Sequence, residues 1–416
     1  MIKWFRRIDR KNLFFFLGVM GPGIITANVD NDAGGITTYS LAGSQYGYSL
    51  LWSLIPIAIL LIIVQEMVAR LGVVTGKGLS DLIREEYGVK ITLFVMVALL
   101  LTNLGNITAE FAGLAASLEI FGISRYISIP VGGTLVWYLV VKGNYRFVEK
   151  VFLAACSIYF SYVISGFMAK PQWAEVGREM ARPSFHLDMS YLVMLIGLVG
   201  TTIAPWMQFY QQSSIVEKEI RVEDYRYCKW DVIVGCIIAS TVAFFIIVSC
   251  AATLHVNQIE ITTAEDAAVA LAPLAGKYAS ILFALGLANA SLFAASILPL
   301  STAYTVCEGM GWEAGIDKDF QAAPQFMGLY TGLIILGGGL ILIPGAPLIL
   351  IMLISQVVNG VLLPLVLIFL LLLINDKRLM RAYTNKWGYN VTAWGAVMVL
   401  ILLNFSLLGH IVSKIL

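Results

Sequence analysis

Two carboxylates stand in stretches of this chain that are otherwise apolar. Asp32 follows Asn28-Val29-Asp30-Asn31 and precedes Ala33-Gly34-Gly35, and Glu110 lies within Thr108-Ala109-Glu110-Phe111-Ala112-Gly113. An ionised group at the centre of a bilayer costs at least about 2.5–3.5 kcal/mol on insertion scales. No Lys or Arg falls at comparable depth to neutralise either acid. Two negative charges without a basic partner match a divalent cation. The competing reading of each is a protonated or hydrogen-bonded structural acid. Further oxygen donors are Thr202, the backbone carbonyls around Ile203 and Ala204, and the amides of Gln208, Gln211 and Gln212. Gln356 and Asn359 are three apart and share a helix face; each amide could instead bond between helices. Asp30 is two residues from Asp32, roughly 200° around a helix, and faces elsewhere unless the backbone is unwound. Glu119 falls near the end of its apolar run, where a vestibule is its expected surrounding. Glu66 precedes Arg70 by four, which reads as an ordinary ion pair.

Other chemistries find little support. His186, His255 and His410 show no ligand spacing. The five cysteines form no CxxC pair and read as small core residues. With no nucleophile–base pair and no resident cofactor indicated, the chain is not expected to be an enzyme, and nothing suggests a scaffold's interaction domain.

The elements that must position these residues are membrane helices. Of the 416 residues 59% are hydrophobic and only 13% charged, against a usual charged fraction of about a quarter. The 27 basic and 26 acidic residues leave a net charge of +1, which disfavours disorder and nucleic-acid binding. A span takes roughly 20 apolar residues. Apolar runs and their polar breaks place eleven, near 12–46 (interrupted), 49–73, 91–120, 126–141, 149–168, 190–216, 232–254, 278–308, 326–345, 347–375 and 389–413. The basic start, MIKWFRRIDRKN, leads into a first span expected to be retained, since no small-residue cleavage site follows. All but six of the 27 basic residues (Arg125, Lys170, Arg178, Arg182, Lys277 and Lys414) then fall on one side. The positive-inside rule places that side, with the N-terminus, in the cytoplasm and the C-terminus outside. The expected location is the cell membrane.

Two spans are interrupted. The first carries Gly21-Pro22-Gly23 and then the Asp32 segment; the sixth carries Gly200-Thr201-Thr202-Ile203-Ala204-Pro205-Trp206. Broken helices at matching places in two halves point to inverted repeats with an ion site between them, although Gly and Pro can also merely kink packed helices. One all-α, polytopic membrane domain over 1–416 is expected. Residues 1–168 form the first repeat, 190–375 the inverted repeat and 389–413 an extra helix, with helices 1 and 6 unwound at mid-membrane.

At these residues the sequence resembles the NRAMP family of divalent-metal transporters, and most nearly its NRAMP-related magnesium transporters. The resemblance spans nearly the whole chain: Gly21-Pro22-Gly23, Asp32-Ala33-Gly34-Gly35, Ala69-Arg70-Leu71-Gly72-Val73-Val74-Thr75-Gly76-Lys77, Ala109-Glu110, Ala204-Pro205-Trp206, and Ser355-Gln356-Val357-Val358 with Leu363-Pro364. It implies a LeuT-type fold and a metal bound at Asp32. Gly35 stands where the family has a binding asparagine, Ala204 where it has a methionine, and Trp206 where it has a histidine. Gln211 replaces a second histidine and Ile107 an acid three residues before Glu110. Losing the thioether removes a soft ligand, and Mg²⁺ takes hard oxygen. Mg²⁺ also keeps several of its waters, which two shortened side chains would accommodate. Trp206 is then a gate or pocket wall, or a packing residue in the imidazole's space. Without His or carboxylate relays, uncoupled transport is expected.

The function expected is therefore alternating-access transport of largely hydrated Mg²⁺, and of Mn²⁺, with Ca²⁺ discriminated against. Asp32, Glu110, Gly35, Ala204, Gln356, Asn359, Thr202 and Trp206 form the site, and the ion and the bilayer are the partners; no obligate protein partner is evident. A proton-coupled Mn²⁺/Fe²⁺ carrier is the alternative. A Na⁺-coupled amino-acid carrier is disfavoured, because two deep acids would repel a substrate carboxylate.

Overall fold

The computed structural model describes residues 22–142, 156–186, 188–316 and 318–415, and among them every regular element is helical. The helices are α1 (Pro22–Val29), α2 (Ala33–Tyr46), α3 (Leu51–Thr75), α4 (Leu79–Tyr87), α5 (Val89–Glu119), α6 (Arg125–Val141), α7 (Phe160–Met168) and α8 (Trp173–Ala181). They continue as α9 (Met189–Thr202), α10 (Pro205–Glu217), α11 (Tyr225–Cys250), α12 (Ala279–Met310), α13 (Pro324–Ile341), α14 (Leu348–Asn375) and α15 (Trp387–Ile415). Short turns of helix fill 264–278 and 377–383.

Among the described residues, eight helical segments are long and apolar enough to cross a membrane, and α6 and the stretch Ser157–Met168 are shorter apolar helices. With the broken first span, α1 and α2, these account for the eleven runs read in the sequence. Parts of two runs, 12–21 and 149–155, lie outside the described residues. The protein is a multi-pass membrane protein.

The broken spans sit at the centre. Every residue from Met194 to Ser213, across the end of α9 and most of α10, is buried, so the broken backbone is enclosed by protein, a setting in which unwound backbone is tolerated at membrane depth. Around it, α5 packs on α12, α14 and α13, and α11 packs on α1, α2 and α3. Where α9 crosses α14 there is no room for side chains. A Cβ on Gly200 would lie 2.0 Å from the Gln356 carbonyl oxygen, and one on Gly360 2.4 Å from that of Ile196. Small residues let helix backbones meet in this way when lipid offers no hydrophobic drive to associate.

Two polar ties fix the ends of these elements. Asp231, fully buried on α11, accepts a hydrogen bond from the Gly23 N–H at 2.7 Å and satisfies one of the orphan donors at the start of α1. Arg70, on α3, donates to the carbonyls of Tyr383 (2.9 Å) and Thr384 (3.3 Å), to Asn385 Oδ1 (2.5 Å) and to Glu66 (3.2 Å). The Glu66–Arg70 ion pair is present as its spacing suggests, and it also moors the segment between α14 and α15.

Candidate metal site

The first break begins where α1 ends at Val29. Residues 30–32 are non-helical, and Asp32, in an extended conformation (φ −72°, ψ −175°), caps α2. Its Oδ1 accepts the Gly35 N–H at 2.6 Å, while the Ala33 N–H is donated to Glu110 Oε2 at 3.2 Å. The two carboxyl groups are thus held by amides of one helical turn, those of Ala33 and Gly35. Both acids therefore stand at the N-terminus of α2, where aligned amides supply partial positive charge. That is how a deep acid pair is tolerated without Lys or Arg. Asp32 is 5% exposed and Glu110 not at all, and Glu110 Oε1 has no hydrogen-bond partner.

At the second break α9 stops at Thr202. Ala204 is extended (φ −66°, ψ 139°) and caps α10, which starts on Pro205. A proline at the first helical position is pre-organised to begin a helix. The Ala204 carbonyl is committed to α10, accepting the Met207 N–H at 3.1 Å. The Gln208 amide, oriented to satisfy both its ends, donates to it as well, at 2.7 Å. The carbonyls that face the break are thus those of the last turn of α9, the negative end of its dipole. Thr202 is occupied: its hydroxyl is 2.8 Å from the Leu198 carbonyl and 2.8 Å from the Tyr39 hydroxyl. Its neighbour Thr201, also buried, has a hydroxyl with no partner. Trp206 is buried beside Tyr210, with its carbonyl 3.4 Å from the Ser301 hydroxyl.

Helix α14 supplies the third wall. Gln356 lies so close over Gly34 that a Cβ there would be 1.9 Å from its Nε2. Its Oε1 accepts from Asn359 at 2.9 Å, and Asn359 forms a reciprocal amide pair with Asn106 of α5 at 2.9 and 3.0 Å. Asn359 is thus bound to Asn106 and Gln356, and of the two α14 amides it is Gln356 that lies against the start of α2. The structure brings Asp32, Glu110, Gly35 and Gln356 to the first break, places Ala204 and Trp206 at the second, and engages Thr202 and Asn359 in helix–helix bonds.

Sequence reasoning missed Thr201, Asn106, Ser291, Met352 and Asp231. A signal for Asn106 existed, because Asn103, Asn106, Glu110 and Gly113 recur at helical spacing and make one polar stripe on α5. The other four depend on partners from distant helices. Met352 accepts from Thr37 at 3.4 Å, and a Cβ on Gly113 would meet Ala33 (2.3 Å), Ser291 (2.6 Å) and Met352 (3.5 Å). This layer caps the acid pair. One turn further along α5 and α14, Ala116 and Ile349 belong to a cavity of about 440 Å³ that also touches Glu119, Arg125 and Glu265. Glu119 faces this vestibule and is bound there by Arg125 at 2.7 Å. Asp30 lies in the break itself and is buried, its Oδ1 unpartnered.

The model of the natural resistance-associated macrophage protein-like (Nramp) family matches residues 23–410. Among solved structures, the chain is similar to the Eremococcus coleocola manganese transporter in complex with an aromatic bis-isothiourea substituted compound. The TM-score is 0.79 at 22% identity, over 96% of this chain and 87% of that one. It is also similar to Mhp1, a nucleobase-cation-symport-1 family transporter in a closed conformation, with a TM-score of 0.60 at 15% identity, over 95% of this chain and 92% of that one. At such identities the likeness is one of fold, and the fold is the LeuT-type arrangement that the family resemblance implies.

Proposed function

Because the chain belongs to the Nramp family, whose members are secondary divalent-metal transporters and not enzymes, we propose that it carries Mg²⁺, and also Mn²⁺, as a largely hydrated ion. It does so by alternating access and without moving protons. The observation that carries this reading is the chemistry of the breaks. Two carboxylates stand at the first break and the last-turn carbonyls of α9 end at the second, with Gly35 and Ala204 at the break positions bringing neither sulfur nor imidazole. The Met352 thioether, beside Gly113, is already bonded by Thr37 at 3.4 Å. An oxygen-only site suits a hard ion that sheds water reluctantly. Mn²⁺ accepts the same ligands.

Support for uncoupled transport comes from the side of α5 that faces α13. Ile107 packs so tightly on Gly337 that a Cβ there would be 2.5 Å from its Cγ2, and Phe111 packs against Gly133 and Gly338. No carboxylate or histidine occurs on α13 or α6. A proton relay needs a chain of titratable groups, and this interface has none.

In this reading the N-terminus is cytoplasmic, the C-terminus extracellular and the chain resides in the cell membrane. The test is uptake into proteoliposomes loaded with a fluorescent Mg²⁺ indicator and, separately, a pH dye. Mg²⁺ uptake abolished by Asp32→Ala, with no acidification tracking it, is expected. Uptake that survives Asp32→Ala removes the site; acidification in step with metal entry favours a proton-coupled Mn²⁺/Fe²⁺ carrier instead.

A further inference from the structure

We propose that the Thr201 hydroxyl is an outer-sphere contact of the transported ion, accepting a hydrogen bond from a water of the hydrated cation that Asp32 and Glu110 attract. This rests on the preceding assignment of a hydrated ion to the acid pair. It adds a residue that nothing in the sequence marks, since Thr202, its neighbour, is the more obvious candidate.

The argument begins with an ordinary habit of threonine. Within a helix its hydroxyl bonds back to the carbonyl four residues earlier, as Thr202 does to Leu198 at 2.8 Å. Thr201 does not. Its side chain is 2% exposed and its Oγ1 has no hydrogen-bond partner. The Tyr39 hydroxyl is near enough to interact with both threonines, but the well-formed bond, at 2.8 Å, is the one to Thr202. A buried hydroxyl left unbonded costs about 1–3 kcal/mol, so a helix end that keeps one has a use for it.

Its direction indicates that use. The point where a side chain on Gly35 would begin is closed off by the Asp30 carbonyl oxygen at 2.6 Å, and it lies 3.2 Å from Thr201 Oγ1 and 3.3 Å from Asp32 Oδ1, so both oxygens border the same stretch of the break. The hydroxyl therefore converges with the principal acid on one small region at the first break, from the C-terminal turn of α9, whose carbonyls already favour a cation. A neutral hydroxyl competes poorly with water for the inner shell of Mg²⁺, which keeps most of its waters. Water polarised by the metal is a strong donor, and a hydroxyl oxygen accepts from it well. Thr201 then orients the shell while the acids supply the charge.

The test uses the full chain in proteoliposomes, with Thr201→Val, which keeps the shape and removes the hydroxyl, and Thr201→Ser, which keeps the hydroxyl. The probe is hexaamminecobalt(III), an inert complex whose ammine hydrogens mimic the outer face of hydrated Mg²⁺ and whose ligands cannot be shed. Thr201→Val is expected to raise the KM for Mg²⁺ about fivefold to tenfold, the loss of one hydrogen bond of about 1–1.4 kcal/mol, with the maximal rate within about twofold. Inhibition by hexaamminecobalt should weaken by a similar factor, and Thr201→Ser should behave as the parent. An unchanged KM and inhibition in Thr201→Val, or an equal loss in Thr201→Ser, overturns the inference while Asp32-dependent Mg²⁺ uptake leaves the proposed function standing. A parent protein that hexaamminecobalt does not inhibit overturns the outer-sphere contact. A parent that takes up no Mg²⁺ overturns the proposed function and this inference together.

Discussion

At the scale of single residues the acid pair and its glycine neighbours make separable predictions. Glu110→Gln keeps an acceptor for the Ala33 N–H and removes the charge. If Glu110 supplies charge to the ion, Mg²⁺ uptake falls at least about tenfold while thermal stability holds or rises, because a desolvated carboxylate has been neutralised. Unchanged uptake would instead make Glu110 a structural acid. Gly35 carries a subtler lesson. Its lack of a side chain suggested a wider site, yet a Cβ there would lie 2.6 Å from the Asp30 carbonyl oxygen. The backbone of the break has moved into the space an asparagine would use. Gly35→Asn should therefore not restore a tighter ligand set; it should lower stability by about 1–3 kcal/mol through overpacking. Thermal unfolding in detergent reads this directly, and a variant with an undiminished midpoint and stronger Mn²⁺ binding would refute the packing argument.

At the scale of elements, the span limits were legible because apolar runs end in polar residues: Leu51–Thr75 and Leu348–Asn375 fall within two residues of the runs at 49–73 and 347–375. The breaks were legible because Asp32 and Pro205 are helix starters. What the chain did not disclose is phase. Whether Thr201 or Thr202 faces the break depends on where α9 unwinds, and that is decided by Tyr39 of α2 claiming Thr202. Asn359 likewise answers to Asn106, 253 positions away. Arg70 was read as half of a local pair, and its larger role lies in holding the 383–385 segment. Arg70→Ala should then destabilise the protein by about 1–3 kcal/mol, since the carbonyls of Tyr383 and Thr384 and the Asn385 side chain lose their donor while Glu66 keeps Tyr225 and Lys229. Hydrogen exchange should quicken in 381–386; exchange confined to α3 would contradict this. A second element outside the membrane responds to pH. Burial raises the Asp266 carboxyl, but hydrogen bonds from the backbones and hydroxyls of Thr262 and Thr263 outweigh it, and its pKa is lowered. A depressed carboxyl stabilises the turn above its ordinary range and loses that contribution as pH falls through its folded value. Proteolysis within 262–268 should stay slow from neutral pH to about pH 5 and accelerate below about pH 4.

At the scale of the whole molecule, the sparse charge acquires a geography. The end of α3, α4, the close of α10 and the segment after α14 meet at one end of the bundle, tied by Arg70, by Lys77–Glu85 at 2.6 Å and by Arg378–Glu86 at 2.6 Å. The Gln212 amide joins α10 to the Lys77 carbonyl there at 2.8 Å. Arg125, the 262–265 turn and Ala346 meet at the other end, around the vestibule. Among the described residues, the helices thus gather on one end the loops that hold most of the basic residues, and by the positive-inside rule that end is the one proposed above to be cytoplasmic. Alternating access gives the vestibule a consequence. If it is the extracellular mouth, an ion enters between α5 and α14 and waits on the layer of Gly113, Ala33 and Met352 before it reaches Asp32 and Glu110. Cysteines substituted at exposed Glu265 and exposed Lys90 distinguish the two ends; Cys228, Cys236, Cys250 and Cys307 are buried and contribute little background, and Cys156→Ser removes the fifth native thiol. In intact cells a membrane-impermeant maleimide should label Glu265→Cys at once and Lys90→Cys only after permeabilisation. The opposite pattern would invert the topology, and would turn the vestibule from the place where the ion arrives into the place where it leaves.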